Sequence, residues 1–115
     1  MGDRCVIQVK GASCSMYLHW HGGSALEILK SAVPRMRAGD ENYSQARLIG
    51  VAHGLIEGNL SLGVLPPVSD PPTEEDSQGN AGVIVYDCSS GTARCYHGYL
   101  ADKHKRQLQI GTPPG

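Results

Sequence analysis

The frequency of turn-forming residues constrains this fold more than any other sequence feature. The 115 residues include fifteen glycines and seven prolines, which favour turns and interrupt helices. This argues against a helical bundle and for short elements joined by many turns. With no Phe and one Trp, the core must rest on Leu, Ile, Val and Met. The length predicts one domain.

The charge pattern excludes some partners. Net charge is −1, but residues 66–82 carry four acids and no Lys or Arg. No basic surface of the kind that non-specific nucleic-acid binding needs is present, so we do not expect nucleic acid as a partner. The acids are Asp70, Glu74, Glu75 and Asp76.

The chain shows no membrane or export signal. No run approaches the roughly 20 apolar residues that span a bilayer, and the start lacks a secretory pattern. We therefore expect a cytoplasmic protein without membrane association, whose cysteines are free thiols in a reducing compartment. These are Cys5, Cys14, Cys88 and Cys95.

The N-terminal residues predict a β-hairpin. Two β-rich runs, Arg4–Lys10 and Ser13–Trp20, flank Gly11-Ala12, and Gly supplies the positive φ that tight hairpin turns require. In a two-residue hairpin Cys5 faces Leu18.

Two helices are predicted next. Ser24 and Glu27 form a capping-box pattern at the start of the first, and Pro34 predicts a kink or an end near Val33. Its apolar face is Leu26, Ile28, Leu29, Ala32, Val33 and Met36.

Asp40 or Asn42 can cap the second helix, which is expected to run to about Glu57 and stop at Gly58-Asn59. Its small residues Ala46, Gly50 and Gly54 allow close approach of a neighbour. The predicted buried stripe is Tyr43, Ala46, Ile49, Gly50, His53 and Ile56.

The remaining chain reads as strands around an acidic loop. Leu60–Leu65 is a strand, Pro66–Gly82 a mobile loop, and Val83–Cys88 and Ala93–Tyr99 a second hairpin. The order ββ–α–α–β–ββ predicts an α+β fold in which two helices cover one face of a mostly antiparallel sheet. We assign 1–100 to a single domain and 101–115 to a poorly ordered tail that contains the basic run Lys103–Arg106.

The stretch from Tyr17 to Gly23 holds the main candidate site. His19 and His21 would share one strand face, a spacing that zinc and iron sites use, with His53, His97 or Asp87 as further ligands. Alternatively, the two imidazoles bond to backbone groups at the strand end.

Three other features are open to two interpretations each. Gly22–Ser24 before a helix is typical of an anion cradle for a small ligand or nucleotide, although a turn explains the same glycines. Cys95 and His97 would share a strand face as a nucleophile and base, or the thiols are buried and inert. Trp20 either anchors the core or joins an exposed contact patch with other aromatic residues. Those are Tyr17, Tyr96 and Tyr99.

Several motifs in residues 2–88 carry a family resemblance. They are Gly2-Asp3-Arg4, Tyr17-Leu18-His19-Trp20-x-Gly22-Gly23, Tyr43 with Ala46-Arg47-Leu48-Ile49, Gly58-Asn59-Leu60-Ser61-Leu62-Gly63 and Gly82-Val83-Ile84-Val85-Tyr86-Asp87-Cys88. In this order they resemble uncharacterised small proteins of phages, prophages and mobile elements. His21 falls at the variable position. The resemblance implies a mobile-element context and no particular activity.

We therefore predict a non-enzymatic protein without a cofactor that binds and modulates a host or phage protein, an inhibitor of host defence being one version. Its predicted contact surface, called the aromatic rim below, is Tyr17, His19, Trp20, His21, Gly22 and Gly23. The first alternative is a metal-dependent enzyme or metal-binding protein that uses His19 and His21, and the second is the ligand binder at Gly22–Ser24. A homodimer that pairs Val83–Cys88 or the first strand across an edge stays open.

Overall fold

A computed structural model describes residues 2–55 and 61–114 and confirms the α+β class. Its sheet has six strands in the order β3-β2-β1-β4-β5-β6. The strands are β1 (Cys5–Val9), β2 (Ser15–Leu18), β3 (Leu62–Leu65), β4 (Gly82–Asp87), β5 (Thr92–Tyr96) and β6 (Leu108–Gln109). Among the described helices, none has both the length and the apolar character needed to cross a membrane.

The sheet is antiparallel except between β1 and β4, which run parallel. The predicted hairpin register is confirmed, because Cys5 lies opposite Leu18. Both hairpins of the prediction are present, with β1 and β4 side by side at the centre. Neither of these two strands is an edge, so the pairing between subunits suggested for them is wrong.

The first predicted helix ends early, as Pro34 predicts. Helix α1 spans Ala25–Ala32, and a short 3-10 helix over Val33–Arg35 follows it. Another 3-10 turn, Gly22–Ser24, precedes α1. The predicted capping box is wrong, because the Ser24 side chain makes no capping hydrogen bond. The tight turn already provides Ser24 N–H with an acceptor, the His21 carbonyl, at 3.0 Å.

Helix α2 (Glu41–Leu55) starts where the sequence indicates but buries a different face. Asp40 caps it, its Oδ1 accepting from Tyr43 N–H at 3.1 Å, while Asn42 instead binds the backbone of Ser13. The buried residues are Ser44, Gln45, Leu48 and Ala52.

The predicted stripe of α2 is correct only in part, since Ile49 packs partly against the core and Tyr43 is half-buried. Ala46, Gly50 and His53 are exposed, since Gln45 anchors the helix on the adjacent face. Ile56, Glu57, Gly58-Asn59 and Leu60, which the predictions also used, lie outside the described residues.

The acidic stretch forms more than a loop. It contains α3 (Glu74–Ser77), where Thr73 and Asp76 exchange capping hydrogen bonds. Before that helix, Val68 N–H donates to Gln8 Oε1 at 3.0 Å. Gln8 alternates with the core residues of β1, so this stretch lies on the sheet face opposite α1 and α2.

The C-terminal residues also contact the sheet. Helix α4 (Tyr99–Lys103) places Leu100 in the core. Strand β6 pairs with β5, and Tyr86 Oη donates to the Gly111 carbonyl at 2.6 Å. These contacts extend through the segment that was assigned to a tail.

Two buried amides close the end of the first hairpin. Gln45, 1% exposed, accepts from Val9 N–H at 2.7 Å and donates to the Ile7 carbonyl at 3.1 Å. From the other face, Gln8 Nε2 donates to the carbonyls of Val9 (2.7 Å) and Cys14 (3.1 Å). The hairpin is thereby fastened to α2 on one side and to the acidic stretch on the other.

We expect Gln45→Met to lower the free energy of unfolding by about 1–3 kcal/mol, because it leaves Val9 N–H buried without an acceptor. Gln109→Met, on exposed β6, serves as the matched control and should change it by less than about 0.5 kcal/mol. Urea unfolding of both variants measures the difference. Equal stability of the two variants would contradict this role for Gln45.

Candidate functional site

The aromatic rim starts where β2 ends. Tyr17 Oη and His19 Nδ1 are 2.7 Å apart, and the His19 ring meets the Trp20 ring edge-on at a centroid distance of 4.6 Å. Trp20 is 45% exposed, so the interpretation of this residue as a core anchor is wrong. Tyr17 and His19 are half-buried beneath it. The three rings form a connected surface that presents Trp20 to solvent.

Gly63 leaves the Tyr17 ring uncovered on this face. It lies directly opposite Tyr17 in the β2–β3 pairing. A Cβ built on Gly63 would make ordinary contact with the Tyr17 ring, 3.6 Å from Cδ2. Because Gly63 lacks that atom, the aromatic surface continues from the end of β2 towards β3.

Asp3 organises the glycines of the rim. Its backbone N–H donates to the His19 carbonyl at 2.7 Å, and its own carbonyl accepts from Gly22 N–H at 2.7 Å. Its carboxylate accepts from Gly23 N–H at 2.8 Å and from Tyr99 Oη at 2.6 Å. One residue thus connects the N-terminal segment, the turn before α1 and helix α4.

The hydroxyl of Tyr99 is correspondingly hard to ionise. Burial, together with the hydrogen bond to Asp3, raises the pKa of Tyr99 to about 12. The Tyr99 hydroxyl therefore stays protonated throughout the physiological pH range and donates its hydrogen bond to Asp3. The ring of Tyr99 is 42% exposed, and its hydroxyl is joined through the Asp3 carboxylate to Gly23 of the rim.

The expected anion cradle at Gly22–Ser24 does not have free N–H groups. The three N–H groups are bound to the Asp3 carbonyl, the Asp3 carboxylate and the His21 carbonyl. The chain's own carboxylate therefore occupies the position expected for a phosphate. These contacts favour the turn explanation of the two glycines over the ligand site.

We expect Gly22→Ala to destabilise the protein by about 1–3 kcal/mol, because an added Cβ overpacks the site. That atom would lie 2.6 Å from the Asp3 carbonyl oxygen and 2.9 Å from Ala81 Cβ. Gly23→Ala is the matched control, since its Cβ would come no closer than 3.4 Å to any of these groups. Thermal unfolding compares them, and a larger loss for Gly23→Ala would refute the assignment.

The histidines considered as metal ligands do not meet. Among residues 2–55 and 61–114, no three His, Cys, Asp or Glu side chains are grouped so as to hold a metal ion. Strand β2 ends at Leu18, so strand alternation does not carry His19 and His21 to a common face. His53 is exposed on α2, and His97 Nε2 is 2.7 Å from the Pro72 carbonyl.

Of the two interpretations of the cysteines, the structure favours buried thiols over a Cys95–His97 nucleophile–base pair. Strand β5 ends at Tyr96 and His97 has a positive φ of 55°, so the alternation that would align Cys95 with His97 stops before it. Burial raises the pKa of Cys95 to about 11 and also raises the pKa values of Cys5 and Cys88. These three thiols are buried and Cys14 is half-exposed.

At pH 8, iodoacetamide should alkylate Cys14 at least about 100-fold faster than Cys5, Cys88 or Cys95. The thiolate is the reactive form, and raised pKa values leave less of it at this pH than an ordinary thiol would have. Mass spectrometry of peptides over time gives the four rates, and urea-unfolded protein supplies the control in which all four react. Rapid native alkylation of Cys95 would overturn this assignment.

A surface groove lies away from the rim. A groove of 490 Å³ runs along the exposed face of α2, lined by Arg35, Arg47 and small residues of that helix. The small residues singled out in the sequence thus face solvent. Arg37 and Arg47 both stack on the Tyr43 ring, at 4.1 and 4.8 Å from its centroid.

The sequence interpretation missed Asp3 as an organiser. A signal for it was present, because the predicted hairpin register continues to place Asp3 beside Trp20 and the glycines. The contact of Tyr99 with Asp3 had no such signal, since it depends on how the two ends of the chain meet. Of the predicted rim, Gly22 is buried and supports the turn.

Comparison with known proteins yields no relative. No protein-family model, no curated protein and no solved structure matches the chain.

Proposed function

We propose that this chain is a non-enzymatic interaction protein that binds and modulates a host or phage protein through the aromatic rim. In this proposal Trp20 is the central contact, and Tyr17, His19 and His21 surround it. Gly22 and Gly23 shape the turn on which it stands. Inhibition of a host-defence protein is the specific version that we favour.

The observation that carries the proposal is an exposed tryptophan in a fixed position. The single Trp of the chain is 45% exposed, although burying such a side chain in the core would be favourable. Its ring is held edge-on against His19, which Tyr17 holds in turn. A side chain that is already ordered loses little entropy on binding, and Trp is enriched among residues that dominate interface energies.

The support beneath the rim favours recognition of a defined shape. Asp3 joins the turn at Gly22 and Gly23 to the backbone at His19. It also accepts a hydrogen bond from Tyr99 at 2.6 Å. Because these bonds involve backbone groups on both sides of Trp20, the ring projects from a constrained segment. Such a segment suits binding with little rearrangement.

The mobile-element part of the proposal rests on the family resemblance of residues 2–88. Small accessory proteins in that setting often act by binding one host protein. A compact domain whose described residues offer a contact surface, and hold no cluster of three His, Cys, Asp or Glu placed to bind a metal, fits this role. The identity of the bound protein follows from experiment.

We expect Trp20→Ala to weaken partner binding at least about tenfold while costing no more than about 1.5 kcal/mol of folding stability. The half-exposed ring has one aromatic contact to lose, whereas removal of a buried Trp costs about 3–5 kcal/mol. A photo-crosslinking side chain at Gly23, which is exposed beside Trp20, would capture the partner in cells. Titration of the purified pair then measures affinity.

Leu55→Ala is the control, because Leu55 is 54% exposed on α2. It should leave both crosslinking and affinity unchanged. The proposal fails if Trp20→Ala binds the captured partner as tightly as the unmodified chain does. It also fails if Trp20→Ala loses 3 kcal/mol of stability or more, since the ring would then serve the core.

A further inference from the structure

The two edges of the sheet differ in how they are protected. Strand β6 has two residues and follows a run that holds the exposed cations Lys103, Lys105 and Arg106. Short edges and charged neighbours are devices that prevent strands of different molecules from pairing. Strand β3 has four residues, and the segment 61–69 that contains it carries no charge. Among residues 2–55 and 61–114, β3 is thus the longer of the two edges and the one without charged neighbours.

The register shows which backbone groups β3 presents. His19 N–H donates to the Ser61 carbonyl at 3.0 Å, so residues 61, 63 and 65 direct their hydrogen-bonding groups towards β2. Leu62 and Val64, which alternate with them, direct theirs away from the sheet. Within the described ranges, the N–H and C=O groups of these two residues have no hydrogen-bond partner.

The side chains of the edge are apolar as well. Val64 is 60% exposed, the largest exposed fraction among the bulky hydrophobic residues of the described chain. Leu62 packs partly against the core on the same face. A partner that covers this edge must therefore bring an extended backbone and an apolar side chain beside Val64.

We propose that a second copy of this chain covers β3 by antiparallel pairing of residues 61–65 with the same residues. If Leu62 lies opposite Val64 of the second copy, then Val64 lies opposite Leu62 of that copy. The outward groups of both residues are then satisfied by four backbone hydrogen bonds. The pairing extends the sheet from six strands to twelve across a two-fold axis at Gly63.

The side chains are compatible with this register. Directly opposed residues of an antiparallel pair share a face, so each Val64 packs beside a Leu62. Gly63 faces Gly63 at the axis and brings no side chain into the contact. After Leu62 and Val64, the next residue whose backbone would face the second copy is Pro66. Because Pro has no N–H, the hydrogen-bonded ladder between the two copies ends there. A net charge of −1 per chain leaves little repulsion between copies.

Sedimentation equilibrium from about 1 μM to about 1 mM tests the pairing over the range of weak to moderate association. The chain should pass from monomer to dimer, and Val64→Lys should raise the dissociation constant at least about tenfold because it places a charge on the edge. In hydrogen exchange, the Leu62 and Val64 amides should become protected as the concentration rises. Circular dichroism confirms that the variant is folded.

Leu55→Lys is the matched control, an equally drastic change at an exposed apolar residue elsewhere, and should dimerise normally. A chain that stays monomeric up to 1 mM overturns the pairing. A dimer that survives Val64→Lys but is lost in Leu55→Lys overturns it as well and indicates an interface on α2. Both variants keep Trp20, so this outcome is separate from that for the aromatic rim.

Discussion

The fold depends on two buried carboxamides at the end of the first hairpin. Gln45 reaches β1 from helix α2, the Gln8 side chain projects from the opposite face of β1, and both bind backbone groups near the end of the hairpin. A buried backbone group without a partner costs about 1–3 kcal/mol, so each amide determines what packs on its face. Gln45 sets which side of α2 is buried. Gln8 binds the acidic stretch on the other face. The molecule therefore has three layers, which are helices α1 and α2, the sheet, and the acidic stretch.

Local chemistry predicted the elements of this fold better than their packing. The register of Cys5 with Leu18 followed from a turn of known length, and Pro34 ended α1 where it should. The buried face of α2 did not follow from apolar periodicity, because a polar residue, Gln45, is what anchors it. Helix α3 was hidden in a stretch whose composition is typical of a loop. Its Thr73 and Asp76 were the available signal, and they are a capping pair.

The sequence indicated where a candidate site lies, but not the chemistry of its side chains. The sequence singled out the Tyr17 to Gly23 stretch as an unusual feature, and the structure places its aromatic side chains together. The metal interpretation assumed that β2 continues to Trp20, whereas it ends at Leu18. The anion interpretation assumed free N–H groups, whereas Asp3 binds two of them. Both depend on tertiary contacts that spacing alone does not give.

The parallel pairing of β1 with β4 has a consequence for synthesis. These central strands are far apart in sequence, since Cys5 lies opposite Gly82, and Arg4 N–H donates to the Asn80 side chain. Bringing them together closes a very long loop, and such high contact order slows folding. Until β4 has been synthesised, β1 can pair with β2 on one side, but its other edge has no partner strand. The nascent chain is therefore most prone to aggregation before Val83 and its neighbours emerge.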